Sequence, residues 1–299
     1  MSAFVTGATG VIGRRLLDSL GDDVVVTSRN PEKARSSIKR GRVIGWDGTS
    51  ALEKGALDGV DAVFHLAGEP VAEGRWTDEK KKRIEESRVL GTRSIVDAMK
   101  AMTTRPKVFV CASAVGIYGS RGDEVLTEES TPGNSFLAQV CSAWEREAEQ
   151  AEELGVRVVR VRTGIVLARE GGALAEMAPL FKTGLAGKLG DGKQWMPWIH
   201  LDDIVGLFLF AAKNERVRGA LNGCAPEPVT NAEFTKAMGA TLHRPTFLTA
   251  PAFAMKIALG EKAEIVLASQ RAVPTAALAL DYAFTHVALG AALHDLLGT

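Results

Sequence analysis

Near its N-terminus the chain reads Phe4-Val5-Thr6-Gly7-Ala8-Thr9-Gly10-Val11-Ile12-Gly13, an apolar strand that turns into a helix through three glycines. The glycines allow a tight turn, a close approach of the main chain to a pyrophosphate, and close packing of the helix on the strand. The phosphates then bind the free N–H groups and the positive dipole end of the helix. No Gly-Lys-Ser/Thr follows, which excludes a Walker phosphate loop. The turn therefore predicts dinucleotide binding.

The composition is typical of a globular protein with one large or two modest domains. The chain has 299 residues, 46% of them hydrophobic, and its 36 Lys and Arg residues balance its 36 Asp and Glu residues. This balance argues against a nucleic-acid-binding surface. The basic run 80–83 is flanked by acidic residues and is typical of a solvated helix. We therefore expect a small-molecule substrate and no nucleic acid.

Cysteine usage and the N-terminus predict a cytoplasmic protein. The three cysteines, Cys111, Cys141 and Cys224, share no metal-ligand spacing, which predicts reduced thiols and no metal site. The first residues lack the features of a secretory signal, and no apolar run reaches the length that spans a bilayer. We expect no membrane association.

Short β-branched runs alternate with longer amphipathic segments. The runs predict strands over 24–26, 62–66, 107–111 and 156–161, and the segments predict helices over about 11–20, 31–38, 78–101 and 136–153. Nearly continuous apolar strands separated by helices are typical of a parallel sheet covered on both faces. The fold class is therefore α/β, a doubly wound Rossmann-type parallel sheet.

Beyond Leu167 the alternation of strands and helices is less regular, with glycine-rich loops followed by a C-terminal segment of mixed composition. We interpret residues 1–165, completed by about 198–213, as the NADP-binding domain. Residues 166–197 and 214–299 are interpreted as a small interleaved substrate-binding cap.

Further motifs follow along the whole chain: Asp61-Ala-Val-Phe-His65-Leu-Ala67-Gly68-Glu69-Pro70, Ser87-Arg88-Val89-x-Gly91-Thr92, Ser113 with Tyr118-Gly119, Gly190-x-Gly192-x-Gln194-Trp195-Met196, Trp198-Ile-His200-Leu-Asp202-Asp203 and Val273-Pro274-Thr275-Ala276-Ala277-Leu278. With these the chain resembles the extended short-chain dehydrogenases/reductases. Within them it is most similar to the atypical NAD-dependent epimerase/dehydratase branch, the epimerase family proteins with a characteristic C-terminal domain. The resemblance implies a Rossmann fold, a bound NAD(P), and a small-molecule substrate between the sheet edge and the cap.

The end of the second predicted strand favours NADP over NAD. NAD-binding proteins usually place Asp or Glu about 20 residues past the glycine turn, where a carboxylate would repel a 2′-phosphate. This chain has Ser28 and Arg29 there, which suit a phosphate, and Arg14 is a second candidate cation. The resemblance implies that Asp47 accepts from the adenine edge. The predicted cofactor-binding residues are Gly7, Thr9, Gly10, Val11, Ile12, Gly13, Ser28, Arg29, Asp47, Leu66, Ala67, Gly68, Glu69 and Arg88.

The catalytic pair expected from the resemblance is absent from the sequence. The superfamily uses a Tyr as acid or base and a Lys four residues later, but neither tyrosine of this chain is followed by Lys at that spacing. We register Leu137 for the Tyr and Cys141 for the Lys. The superfamily also uses a Ser or Thr hydroxyl that polarises the substrate oxygen. Ser113 could supply this hydroxyl, but by its spacing to Tyr118 the position could equally fall on Ala114, which has none.

Two interpretations follow. In the first, the protein is an oxidoreductase or epimerase in which another ionisable group, Glu69, Arg88 or His200, lends the proton. The candidate catalytic residues are then Ser113, Glu69 and His200. In the second, it binds NADP(H) without turnover as a redox sensor or regulatory protein. The fold alone does not decide between them.

Three further residues carry more local predictions. His65 is expected to be a core residue, and Asp202 is expected to cap a helix beginning at Ile204. A homodimer could form through the long helices, with Trp144 either at that seam or in the core.

Overall fold

The computed structural model describes residues 1–38 and 40–298, which contain short strands and mostly medium-length helices. The strands are β1 Ala3–Thr6, β2 Val24–Ser28, β3 Arg42–Gly45, β4 Ala62–His65, β5 Val108–Ala114, β6 Val125–Leu126, β7 Arg157–Thr163, β8 Ile165–Leu167, β9 Gly187–Leu189, β10 Trp195–Met196, β11 Trp198–His200, β12 Gly219–Gly223, β13 Val229–Thr230, β14 Leu248–Ala250 and β15 Arg271–Ala272. The helices are α1 Val11–Ser19, α2 Pro31–Ser37, α3 Asp78–Lys100, α4 Phe136–Glu149, α5 Gly172–Lys182, α6 Leu201–Lys213, α7 Asn231–Leu242, α8 Ala252–Leu259, α9 Glu264–Leu267, α10 Thr275–Ala279 and α11 Leu289–Leu297.

The central sheet has seven strands in the order β12-β7-β5-β4-β1-β2-β3. Every neighbouring pair in it is parallel. The strand order therefore reverses between β1 and β4, and a doubly wound sheet binds ligands in the crevice at such a point. This confirms the predicted Rossmann-type α/β fold.

Alternate residues of each strand face opposite layers. Ala3 and Val5 of β1 belong to a core beneath α1 and α6, whereas Phe4 belongs to a second core beneath α3 and α4. Because both faces of the sheet are covered, the strands are apolar along nearly their whole length. Trp144 is 5% exposed in the second core, so it is a core residue and not a dimer seam.

Two sequence interpretations need correction. Residues 219–223, assigned to the cap, form the edge strand β12 of the central sheet, pairing with β7. Helix α6 begins at Leu201 rather than at Ile204. The residue that caps it is His200, so Asp202 lies in the first turn instead.

A smaller unit, the cap, is built from α5, α7 and α11 around a core of its own. Trp198 lies in this core and is fully buried. Among the described residues no helix is both long enough and apolar enough to cross a bilayer.

Candidate dinucleotide site

The turn between β1 and α1 lies directly against the end of β4. Gly7 has a φ of +69°, and a Cβ there would lie 2.6 Å from the carbonyl carbon of Leu66. A Cβ on Gly13 would lie 2.6 Å from Cα of Ala8. Both positions therefore require glycine because a side chain would collide with the backbone, and Gly7 also requires it for its left-handed conformation.

Helix α1 begins without a protein cap. Its N-cap is Gly10, no side chain accepts from its first N–H groups, and its first turn holds no acidic residue. Thr9 and Gly10 are exposed. The helix end thus presents unpaired N–H groups and its positive dipole end to the crevice, and these groups fit a pyrophosphate.

Thr6 and His65 join β1 to β4 at the base of the crevice. The Thr6 hydroxyl accepts from the N–H groups of Leu66 and Ala67, both at 3.1 Å, and lies 2.7 Å from His65 Nδ1. Since its lone pairs are used, its proton goes to Nδ1, and the neutral ring carries its own proton on Nε2. His65 is fully buried, which confirms the core prediction. The role of Thr6 was not predicted from the sequence, although its position just before Gly7 could have indicated it.

The ends of β2 and β3 carry the residues predicted to read the ribose and the adenine. Arg29 is exposed, and in the described part of the chain no side chain or carbonyl is hydrogen-bonded or ion-paired to it. Ser28 instead bonds locally to the backbone of Asn30. The Asp47 carboxylate accepts from the N–H groups of Ser50 and Thr49, both at 2.8 Å, and these bonds lower its pKa.

The loop after β4 is held by α3. Ser87 Oγ accepts from the N–H of Glu69 at 2.9 Å. Lys80 Nζ donates to Glu69 Oε1 at 2.7 Å, and this bond, with smaller contributions from Arg83 and Arg29, lowers the pKa of Glu69. Glu69 is therefore a carboxylate at neutral pH, so it has no proton to donate, and its ion pair with Lys80 makes it a weaker base than a free carboxylate. Lys80 and Ser87 were not predicted from the sequence to support this loop.

The residues that we register with the superfamily's hydroxyl, Tyr and Lys lie close together and are apolar or un-ionised here. Cys141 lies beside the backbone N–H of Ala114, and Leu137 approaches Gly116 in the turn after β5. This adjacency favours Ala114 over Ser113 as the residue at the hydroxyl position. Burial raises the pKa of the Cys141 thiol to about 11, so it stays protonated.

Ser113 faces α4 and takes part in a buried ionic network. Its hydroxyl donates to Glu145 Oε1 at 2.6 Å, and Arg162 pairs with the same carboxylate at 2.9 Å. Tyr118 is also buried here, donating to Asn222 and accepting from Arg162, and burial raises the pKa of Tyr118 to about 12. The Ser113 hydroxyl is thus engaged with Glu145, which does not favour the catalytic role predicted for it.

His200 lies on the other side of the sheet, at the start of α6. Its Nδ1 accepts from the N–H of Asp202 at 3.1 Å, and its ring stacks on His286 with centroids 3.6 Å apart. Burial lowers the pKa of His200, and His286 lowers it further. The structure therefore does not bring Ser113, Glu69 and His200 together.

His200, His286 and Asp295 form a cluster that could be mistaken for a metal site. One ligand atom from each lies within 4.8 Å of the others. However, His200 Nδ1 is a hydrogen-bond acceptor, so the neutral ring has its proton on Nε2, which lies 3.2 Å from Asp295 Oδ2. The stacked rings also do not aim their in-plane lone pairs at one point. This donor set does not fit a metal ion.

The parallel sheet with a glycine turn at its switch point defines a doubly wound Rossmann-type protein. The model of the NAD dependent epimerase/dehydratase family matches residues 3–222, and that of the domain of unknown function DUF1731 matches residues 250–296. The chain therefore belongs to the NAD-dependent epimerase/dehydratase family.

Three known proteins illustrate the similarity. The epimerase family protein SDR39U1 homolog, chloroplastic, of Arabidopsis thaliana is 41% identical over 292 residues, which are 96% of this chain and 84% of the relative. The crystal structure of human epimerase family protein SDR39U1 (isoform 2) with NADPH has a TM-score of 0.88 and 32% identity, with 99% of each chain covered. A UDP-glucuronic acid 4-epimerase from Bacillus cereus, in complex with UDP-glucuronic acid and NAD, shares the fold at 18% identity and a TM-score of 0.79, covering 98% of this chain and 97% of its own.

Proposed function

We propose that this protein binds NADP(H) and acts as an oxidoreductase or epimerase on a small carbonyl or sugar-like substrate without a Tyr-Lys pair. The observation that carries the proposal is the uncapped N-terminus of α1, which follows the tight turn at Gly7. In the described part of the chain Arg29, just after β2, is also unpaired. The NADPH in the human relative supports the choice of cofactor.

Each part of the cofactor has a matching group. The N–H groups of Val11, Ile12 and Gly13 would hold the pyrophosphate, Arg29 the 2′-phosphate, and the free oxygen of Asp47 the adenine amine. Bound NADP(H) supplies hydride transfer. On the protein side, Glu69, the residue after Gly68, is the proposed acceptor of a proton from a substrate hydroxyl.

A second function, an NADP(H) sensor without turnover, is favoured by the apolar centre. Ala114, Leu137 and Cys141 are the residues that we register with the hydroxyl, Tyr and Lys, and none of them ionises near neutral pH. Catalysis in this class needs a proton donor or acceptor of suitable pKa, and these three side chains provide none.

Calorimetric titration with NADPH and NADH, followed by NADPH oxidation against a panel of aldehydes, ketones and quinones, tests the proposal. Tight NADPH binding with substrate-dependent oxidation supports an oxidoreductase. Binding without net oxidation favours the sensor or an epimerase that returns the hydride to its substrate. Absence of binding would overturn both.

The assignment of Arg29 has a separate test. Arg29→Glu should weaken NADPH binding about 30-fold or more, because a charge-assisted bond to phosphate is replaced by repulsion, and should change NADH binding little. Arg14→Glu is the matched comparison at the other candidate cation. If Arg14→Glu has the larger selective effect, Arg14 and not Arg29 reads the phosphate.

A further inference from the structure

Arg88 connects α3 to the loop that follows β4. Its Nη1 donates to the carbonyl oxygens of Glu69 and Ile84, each at 3.0 Å. A Cβ on Gly68 would lie 3.1 Å from the Arg88 Cζ. The guanidinium therefore packs directly against the Gly68 backbone, and any larger residue at position 68 would displace it.

The same guanidinium lies beside α4. Its Cζ is 5.1 Å from the ring centroid of Trp144, one helical turn beyond Cys141. Its positive charge acts on the Cys141 thiol, partly offsetting the effect of burial on that pKa. Arg88 thus brings a cation from α3 to the position where a Tyr-x-x-x-Lys sequence would bring one from α4.

Two nitrogens of Arg88 remain available. Among residues 1–38 and 40–298 nothing accepts from Nε or Nη2, yet neither atom is among the fully buried side-chain atoms that lack a partner. Both atoms therefore keep some contact with solvent, and Nη2 lies next to Gly68, 3.2 Å from a Cβ built there. Their N–H groups are placed to donate to a ligand that lies along this loop.

We propose that Arg88 supplies the cation that the missing lysine would have supplied, binding the ribose on the nicotinamide side and favouring NADPH over NADP⁺. This inference rests on the proposed NADP(H) binding. The nicotinamide ring is positively charged in NADP⁺ and neutral in NADPH, so a nearby fixed cation disfavours the oxidised form. A guanidinium stays protonated throughout the physiological range and cannot relay a proton, so Arg88 orients and biases the cofactor only.

The ratio of the dissociation constants for NADP⁺ and NADPH, measured by calorimetry, tests this role. The wild-type protein should bind NADPH more tightly, and Arg88→Gln should reduce the ratio roughly tenfold. Arg88→Lys keeps the charge and should keep the ratio within about threefold. Ser87→Ala is the control, because it removes support for the same loop without removing charge, so it should weaken both forms alike.

A rescue experiment separates charge from structure. The double variant Arg88→Gln/Cys141→Lys restores a cation from α4 and should recover the wild-type ratio; it is also the decisive variant if Arg88→Gln alone does not fold. Equal weakening of both forms by Arg88→Gln, or an unrestored ratio in the double variant, would make Arg88 a structural residue and overturn the inference. If the wild-type protein binds neither form, the cofactor assignment itself fails.

Discussion

His65 stays neutral in the folded protein because burial lowers the pKa of its imidazole to about 3, with Arg88 adding to the effect. It packs among the rings of Trp46, Phe109 and Trp144, and its Nδ1 is held by Thr6. The unfolded chain, by contrast, binds a proton at this residue below about pH 6.5. Folding stability is therefore linked to the protonation of His65.

The sign of this linkage gives a prediction. Because the unfolded state binds a proton that the folded state does not, the stability from neutral His65 is complete above about pH 6.5 and is lost as pH falls toward 3. Between pH 6 and 4 this one group should lower the free energy of unfolding by about 1.4 kcal/mol per pH unit. Urea denaturation at several pH values measures the slope.

The variant His65→Asn should be less stable at pH 7 but should have a shallower pH dependence than the wild type. His243→Asn is the control, since His243 is exposed and has a left-handed φ of 52° that Asn tolerates. An unchanged slope in His65→Asn would show that His65 is not the group responsible.

Residue type alone revealed some of these roles and concealed others. The roles of Gly7 and Gly13 in the turn were predictable, because glycine is the residue type that lacks a Cβ and the turn requires its absence. The orientation of Ser113 was not, because it depends on Glu145, which lies 32 positions away on another element. Arg88 was predicted to bind the cofactor, but its place beside Trp144 was not predictable, because it depends on how α3 packs on α4.

Helix α1 and strand β1 are held together by a turn with no spare volume. An Ala in a helix is normally more stable than Gly by about 1 kcal/mol. At Gly13 this gain is outweighed, because the new Cβ would meet backbone atoms of Gly7 and Ala8 that cannot move without breaking the turn.

We expect Gly13→Ala to destabilise the protein by about 1–3 kcal/mol and to abolish dinucleotide binding, since the turn must open to admit the methyl group. Thermal unfolding and calorimetric titration measure the two effects. Gly21→Ala is the matched control, because a Cβ at Gly21 meets nothing within 4 Å, and it should be close to neutral. Similar losses in both variants would contradict the steric argument.

Sequence patterns located the elements better than they located element ends. The four predicted helices were all found, with α4 ending at Glu149 rather than near residue 153. Strand β12 was assigned to the cap because Gly219-Ala-Leu-Asn-Gly223 lacks the β-branched residues that mark the other strands. A short edge strand needs fewer apolar contacts than a central one, so its signal is weaker.

The whole molecule is tied together across the crevice by contacts between distant parts of the chain. Lys262 Nζ donates to the carbonyl of Ala72 at 2.9 Å, and Trp195 Nε1 donates to Asp123 at 2.8 Å. Ser269 also bonds the loop after β5 through its hydroxyl and the Gly122 carbonyl, at 2.8 Å. These contacts and the return of the chain to form β12 oppose independent motion of the cap.

We therefore predict a single cooperative unfolding transition for the sheet and the cap. Hydrogen exchange followed by mass spectrometry across a urea series should show β5 and β7 losing protection at the same midpoint as α5 and α7. Earlier loss in the cap helices would instead show that the sheet is stable alone.

The late position of β12 also has a consequence for synthesis. Strand β7 leaves the ribosome well before Gly219–Gly223, which must pair with it. Until then its outer edge displays unpaired backbone N–H and C=O groups, which are a template for pairing with another chain. The nascent protein is thus open to edge-to-edge association during that interval. Slower translation after Gly223 would not shorten it, whereas a chaperone that covers β7 would protect the chain.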